Sequence, residues 1–268
     1  MSVILQDYHV HSFYCRHGEG QIHEYVEQAI ARGCSEIGFA EHIPIPALDD
    51  DEGRMAVASF PAYLRDVRKA QSLYPDIRIR LGLEADYIPE QMDYISRFIH
   101  DHPFDFVIGS VHFIDGWDFT NPLYLDRFAQ HGVDETWRAY YHLVAEAADT
   151  GLYDIIGHFD IPKKYGHRPV ADLSTDVRRA LQAMSRNNLA LDVNTSGRRR
   201  VTGEIHPSRD ILKQALALGI PAVLGSDAHT PVDVASYFKE TMQQLYDIGF
   251  RELCGFDKRM RFSFPLEI

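Results

Sequence analysis

The stretch Val3-Ile4-Leu5-Gln6-Asp7-Tyr8-His9-Val10-His11 opens apolar and closes on two histidines two residues apart. Along a β-strand, residues at that spacing point to one face. A buried strand here therefore delivers two imidazoles side by side at its end. The same ending recurs along the chain. It is seen in Ile37-Gly38-Phe39-Ala40-Glu41-His42, in Leu81-Gly82-Leu83-Glu84 and in Phe106-Val107-Ile108-Gly109-Ser110-Val111-His112. Ile155-Ile156-Gly157-His158 and Val223-Leu224-Gly225-Ser226-Asp227-Ala228-His229 complete the set. One polar group at the end of one buried strand is ordinary. Six strand ends of this kind imply one shared site on one rim of a barrel.

The rest of the chain supports that frame. Strands are predicted near residues 3–10, 36–41, 77–84, 105–112, 153–158, 189–194 and 221–226. Helices are predicted near 20–33, 61–74, 89–101, 127–150, 174–187, 208–218 and 232–249. Pro61, Pro89 and the Asp172/Ser174 region suit helix starts, and Gly33 and Gly219 suit helix ends. Seven β/α units argue for an α/β fold of parallel strands joined by right-handed crossovers. An open doubly wound sheet would place its site in one crevice fed by two or three strands. Candidates from strands one to five and seven require a closed or nearly closed sheet. Seven units instead of eight point to an incomplete or distorted barrel, TIM-like, with the site at the C-terminal rim. With no linker or repeat, residues 1–268 read as a single domain. The alternating tail Met260-Arg261-Phe262-Ser263-Phe264-Pro265 could close or cover the barrel.

The chain has 268 residues, 45% hydrophobic and 25% charged, which is a globular composition. Its net charge of −12, from 39 acidic and 27 basic residues, disfavours nucleic acid and anionic membrane surfaces as partners. No apolar run is long enough for a transmembrane span, and the start lacks the features of a signal peptide. Three cysteines without a Cys-x-x-Cys pair fit a reducing cytoplasm. Cys34 and Cys254 read as small core residues. Cys15 falls between His11 and His17 and could approach a metal, although packing is the preferred reading.

Imidazole and carboxylate together suit Zn, Mn or Fe, whereas Mg and Ca prefer oxygen alone. The candidate metal ligands are His9, His11, His17, His42, Glu84, His112, His158, Asp227 and His229. Glu84 is the one carboxylate among the middle ligands, and its two oxygens can bridge two ions. His23, His100, His102, His131, His142, His167 and His206 lack the strand-end context and read as surface or local structure. The loop over 43–60, with Asp49-Asp50-Asp51-Glu52, reads as a solvated acidic loop, alternatively a lid. The aromatic loop over 113–126 could meet a ring-bearing substrate or pack on itself. Arg198-Arg199-Arg200 and Lys163-Lys164 follow strand ends and could clamp a phosphate.

Two decoys are weak. Arg16-His17-Gly18-Glu19 matches a phosphohistidine phosphatase signature but leaves the other ligands unexplained. Asp192-Val193-Asn194 lacks the second acid of an aspartyl-phosphate motif.

Asp7-Tyr8-His9-Val10-His11, Glu41-His42, Gly82-Leu83-Glu84, Ser110-Val111-His112, Gly157-His158-Phe159-Asp160 and Gly225-Ser226-Asp227-Ala228-His229 together resemble the PHP (polymerase and histidinol phosphatase) family. Asp192-Val193-Asn194-Thr195-Ser196-Gly197 and Gly203-Glu204-Ile205-His206-Pro207-Ser208 resemble its histidinol-phosphate phosphatase branch. The resemblance implies a distorted (β/α)7 barrel holding two or three divalent ions. His9, His11, Glu84 and Asp227 would hold the first, Glu84, His112 and His158 the second, and His17, His42 and His229 the third. Glu84, Asp227 and His229 are the expected catalytic residues. The implied reaction is hydrolysis of L-histidinol phosphate to L-histidinol and phosphate, a step of histidine biosynthesis, through a hydroxide bridging two ions. The leaving-group acid stays unassigned, with Asp160 a candidate. Arg199, then Arg198 and Lys163, are the expected phosphate contacts. Asp192 and Arg198 depart from the branch pattern, where Glu and an apolar residue are common. A PHP-type phosphoesterase for mononucleotides or other small esters is the alternative, and a non-enzymatic metal-bearing scaffold is a further one. The oligomeric state is not readable.

Overall fold

The computed structural model describes residues 5–48 and 53–268. The acidic run at 49–52, read above as a solvated loop or lid, lies outside the described residues.

The strands are β1 (Gln6–Val10), β2 (Glu36–Phe39), β3 (Arg78–Asp86), β4 (Phe106–Ser110), the short pair β5 (Phe113–Ile114) and β6 (Trp117–Asp118), β7 (Ile155–Ile156), β8 (Ala190–Asn194), β9 (Ala222–Gly225), β10 (Glu252–Asp257) and β11 (Met260–Pro265). The helices are α1 (Ile22–Ala31), α2 (Phe60–Leu73), α3 (Met92–Asp101), α4 (Arg127–His131), α5 (Val133–Asp149), α6 (Ser174–Arg186), α7 (Arg209–Ala217) and α8 (Phe238–Ile248). Seven strands form one sheet in the order β1-β2-β3-β4-β7-β8-β9. Every pairing in it is parallel. The two edges meet just beyond β9, where Val10 bridges Ala228 and the His11 N–H donates to the Ala228 carbonyl at 2.8 Å. The sheet is thus a nearly closed barrel, as expected from the seven β/α units.

The interior is filled by Tyr8, Ala40, Phe106, Ile108, Ile155, Ala190 and Val223, from β1, the end of β2, β4, β7, β8 and β9. Closing so few strands forces close approach. The Phe106 ring lies where a Cβ on Gly82 would come within 2.1 Å of it, so only glycine fits there. The tail forms an antiparallel hairpin, β10–β11, that covers the N-terminal end of the barrel. The Phe256 N–H donates to the Tyr8 hydroxyl at 2.7 Å, and Gln6 Nε2 donates to the Cys254 carbonyl. With that end plugged, the C-terminal rim is the one left for a site.

Some boundaries differ from expectation. The helix predicted over 127–150 is two helices broken at Gly132, whose φ of 81° no helix accommodates. The helix predicted from 232 begins at Phe238, because the preceding segment is irregular. β7 keeps only two residues, although the Gly157 N–H beyond it still donates to the Gly109 carbonyl at 3.0 Å. No helix among the described residues is long and apolar enough to cross a membrane.

Candidate metal centre

Glu84, near the end of β3, is buried and stands among five imidazoles. Its Oε2 lies 3.4 Å from His9 Nε2, 3.3 Å from His11 Nε2 and 3.0 Å from His42 Nδ1. Its Oε1 lies 3.1 Å from His158 Nε2 and 3.6 Å from His112 Nε2. The carboxylate thus has two faces, each served by its own histidines. Asp227 faces the first group, with Oδ1 at 3.5 Å from His11 Nε2 and 4.0 Å from His9 Nε2. His17, His42 and His229 form a further cluster whose ligand atoms lie within 4.8 Å of one another. All nine candidate ligands therefore meet at one end of the barrel. Cys15 also comes close, in a group with His11 and His229, but its S–H donates to the Ser12 carbonyl and burial pushes the thiol up.

Strand geometry explains the convergence. His9 and His11 share a face of β1 through the two-residue period. His42 and Glu84 bridge in parallel register just past β2, with the Ile43 N–H donating to the Glu84 carbonyl at 2.8 Å.

Behind the imidazoles stands a layer of acceptors that fixes their tautomers. His9 Nδ1 is 2.8 Å from Asp192 Oδ2, and His112 Nδ1 is 2.7 Å from Asp86 Oδ1. His17 Nδ1 donates to the Cys15 carbonyl at 2.9 Å, and His229 Nδ1 to the Asp227 carbonyl at 3.1 Å. Each of these four keeps Nε2 free for the centre. Acceptors behind a ring in this way are the usual support of metal-ligating histidine. Asp86 and Asp192 were not predicted for this role, although Asp86 follows Glu84 by the same two-residue spacing that revealed His11.

The donor set fits metal ions. His9 Nε2, both nitrogens of His11, Glu84 Oε2 and His229 Nε2 are buried without a hydrogen-bond partner. Buried polar atoms left unpaired are costly, about 1–3 kcal/mol each. Of these, His9 Nε2, His11 Nε2 and Glu84 Oε2 face one another, an arrangement that a divalent ion satisfies. Burial would push Glu84 up, but His42, His9 and His112 outweigh it and hold the carboxyl well below its usual range. Asp227 is held down in the same way by His9, His229 and His11.

The histidines divide by charge. Burial pushes His229 down to about 3 and His17 down to about 4. Burial also lowers His11 well below its ordinary value and lowers His158. Burial alone would lower His112, but Asp86 and Glu84 outweigh it and raise it to about 9. His9 is raised well above its ordinary value because Glu84, Asp227 and Asp192 outweigh burial. At pH 7 the first four are neutral and the last two carry a proton, which an ion must displace. Loading the metal-free protein at pH 7 is therefore expected to release about two protons. Apparent affinity should fall as the pH is lowered. Calorimetric titrations in buffers of different ionisation enthalpy measure the release, and a zero count would contradict this charge state.

A cavity of about 420 Å³ opens over the centre. Glu84, Asp227 and His229 line it, as do His17, His42, His112 and His158. Its other walls include Arg54, Lys164, Arg200, Asp118, Phe113, Tyr165 and Ser196. The cations differ from those expected. Lys163 is buried, with Nζ donating to Asp160 Oδ2 and the Ile205 carbonyl, both at 2.8 Å. Arg199 binds backbone carbonyls, and Arg198 points to the Gly203 carbonyl at 3.1 Å. All three lie outside the cavity lining, and their neighbours Lys164 and Arg200 take their place.

His206, read as surface or local structure, is fully buried. Its Nδ1 is 2.7 Å from Asp160 Oδ1. Asp160 also accepts from Lys163 and the Ser208 N–H, so it ties two loops together and does not reach the cavity. The aromatic loop packs mainly against α4 and α5. Trp117 and Phe119 are buried, Trp117 stacks on His131 with centroids 4.8 Å apart, and Phe113 lines the cavity.

Fold and rim together define a β/α barrel built around a metal centre. The chain belongs to the PHP domain family, whose model matches residues 7–196. It is 36% identical over 261 residues to a protein of Deinococcus radiodurans named "Probable histidinol-phosphatase", covering 96% of this chain and 98% of that one. It is 30% identical over 264 residues to the histidinol-phosphatase of Bacillus subtilis, covering 89% of this chain and 98% of that protein. Among solved structures it resembles the histidinol phosphate phosphatase of Lactococcus lactis, which was determined with zinc, L-histidinol and phosphate. That match has a TM-score of 0.79 and 26% identity, covering 96% of this chain and 98% of the other.

Proposed function

We propose that the chain is a metal-dependent phosphomonoesterase that hydrolyses L-histidinol phosphate to L-histidinol and phosphate. The observation that carries this reading is the two-faced burial of Glu84 among five imidazoles, beneath a cavity whose walls include Lys164 and Arg200. Near full-length similarity to histidinol-phosphatases supports the substrate.

In this reading His9, His11, Glu84 and Asp227 hold one ion and Glu84, His112 and His158 a second. His17, His42 and His229 hold a third, with His42 also close enough to Glu84 to border the first. Zn, Mn and Fe all suit these donors. Bound there, divalent ions would neutralise phosphate oxygens and would make water acidic enough to supply a nucleophile at neutral pH. The chain's own groups do the rest. Lys164 and Arg200 face the cavity and bind the remaining phosphate charge. Asp118 holds Oδ1 with the Thr120 and Asn121 N–H groups, leaving Oδ2 to meet the cationic histidinol moiety. Phe113 and Tyr165 offer apolar walls to its imidazole ring. Asp160, tied to Lys163, His206 and Ser208, is not placed to protonate the departing oxygen. The three cysteines are free and buried, which suits a cytoplasmic enzyme.

Phosphate release should be much faster from L-histidinol phosphate than from sugar phosphates or mononucleotides assayed alongside it. Faster turnover of a nucleotide would keep the site and replace the substrate.

A further inference from the structure

The segment from Ser226 to Tyr237 carries the ligands Asp227 and His229, yet its regular structure is a single 3-10 turn at Pro231–Asp233. Asp227, Ala235 and Tyr237 have φ of 51°, 53° and 62°, left-handed values that cost free energy for residues other than glycine. Such conformations persist only where surrounding groups hold them. Two side chains from elsewhere in the barrel do so. Asp7 of β1 accepts the Ser226 N–H at 2.8 Å and the Ala235 N–H at 2.9 Å. Arg199, just after β8, takes the carbonyls. Its Nη2 donates to Ser226 at 2.8 Å and to Asp227 at 3.1 Å. Its Nη1 donates to Ser236 Oγ at 2.7 Å, and its Nε lies 3.2 Å from Asp233 Oδ2. All three guanidinium nitrogens are thus engaged with one segment. The Asp227 carbonyl also accepts from His229 Nδ1 at 3.1 Å, so Arg199 shares the acceptor that fixes the His229 tautomer.

We propose that Arg199 is a positioning residue that holds Asp227 and His229 in ligating geometry, and that it does not clamp phosphate. The proposal rests on the metal-centre reading above but not on the identity of the ester. Two measurements on the full chain separate the alternatives: metal affinity for Zn or Mn alone, and calorimetric binding of inorganic phosphate to metal-saturated protein. Arg199→Ala is expected to weaken metal binding about 10- to 100-fold, the usual effect of removing a group behind a metal ligand. Turnover should fall through kcat, recover partly in excess metal, and leave phosphate affinity unchanged once the metal is restored. Arg199→Lys should be intermediate, because an ammonium cannot reproduce the planar fork. Ser236→Ala, which removes one anchor and keeps the charge, should weaken metal binding less but in the same direction, and it carries the test if Arg199→Ala does not fold. Arg200→Ala is the contrasting variant, with full metal and weaker phosphate binding. Undiminished metal affinity in the Arg199 variants overturns the proposal, and a loss of phosphate affinity alone would return Arg199 to the clamp role. A protein that binds metal and phosphate as expected but does not turn over histidinol phosphate would leave this proposal standing and remove the substrate reading.

Discussion

Glu84→Gln is expected to lower kcat by more than about 10³-fold and to reduce the bound metal. Removing a group behind a metal ligand typically costs 10- to 100-fold, and Glu84 is a direct donor with histidines on both faces. The amide keeps the volume but loses the charge, and only one of its terminal atoms can accept. Its NH₂ would face either the nitrogens of His9, His11 and His42 or those of His112 and His158. Neither orientation can bridge two cations. His17→Ala removes one of three imidazoles from the outer cluster, so its expected loss is smaller, about 10- to 100-fold. A phosphohistidine mechanism centred on Arg16-His17-Gly18-Glu19 demands the opposite order. Steady-state rates and metal content of the two variants decide, and a His17 variant more damaged than the Glu84 variant would sink the metal-centred account.

The same side chains show what a sequence can and cannot disclose. The period of a strand is two, so His9 and His11 declare their shared face without a structure. Apolar runs that end in His42, Glu84, His112, His158 and Asp227 disclose the rim because buried parallel strands have no other reason to end alike. That logic extends one step further than it was taken. Asp86 stands two residues beyond Glu84 and supports His112 from the same strand. Asp192, on β8, supports His9 across the barrel. Its strand looked empty because a carboxylate behind a ligand leaves no strand-end signature.

The cations that line the cavity differ from those expected for a different reason. In a 3-10 turn, successive residues point about 120° apart. Within Ile161–Tyr165 the basic pair is therefore sent in different directions, and Arg200 leaves the Ser196–Arg199 turn on extended backbone, away from Arg199. Lys163 turns inward to Asp160 while Lys164 faces the cavity, and Arg199 turns to the ligand loop while Arg200 faces the cavity. Sequence position identified the runs, and only packing could choose the member. The break at Gly132 was written in the sequence as a glycine within a long helical pattern. The irregular segment before α8 was not, because its left-handed residues are Asp227, Ala235 and Tyr237, which carry no local signal for that conformation.

Removal of all metal is expected to abolish turnover and to lower thermal stability together. The catalytic part follows from the cavity, where Lys164 and Arg200 can bind a phosphate dianion while the imidazoles and carboxylates around Glu84 are the groups that would hold the ions. The stability part follows from linkage. Ions that bind the folded chain and not the unfolded one stabilise it by RT ln(1 + [L]/Kd), or about 4 kcal/mol at a thousandfold excess over Kd. For a chain of this length each kcal/mol moves Tm by about 2–4 °C, so chelation should lower Tm by roughly 10 °C. Without ions, nitrogens of His9, His11 and His229 and one oxygen of Glu84 are left buried without a hydrogen bond. Adding Zn, Mn or Fe to the chelated protein should restore both properties, and scanning calorimetry beside the phosphate-release assay tests them in one preparation. Turnover that persists in fully stripped protein would overturn the proposed chemistry. Activity that returns without a rise in Tm would mean that the ions bind the unfolded chain as well as the folded one, against the linkage argument.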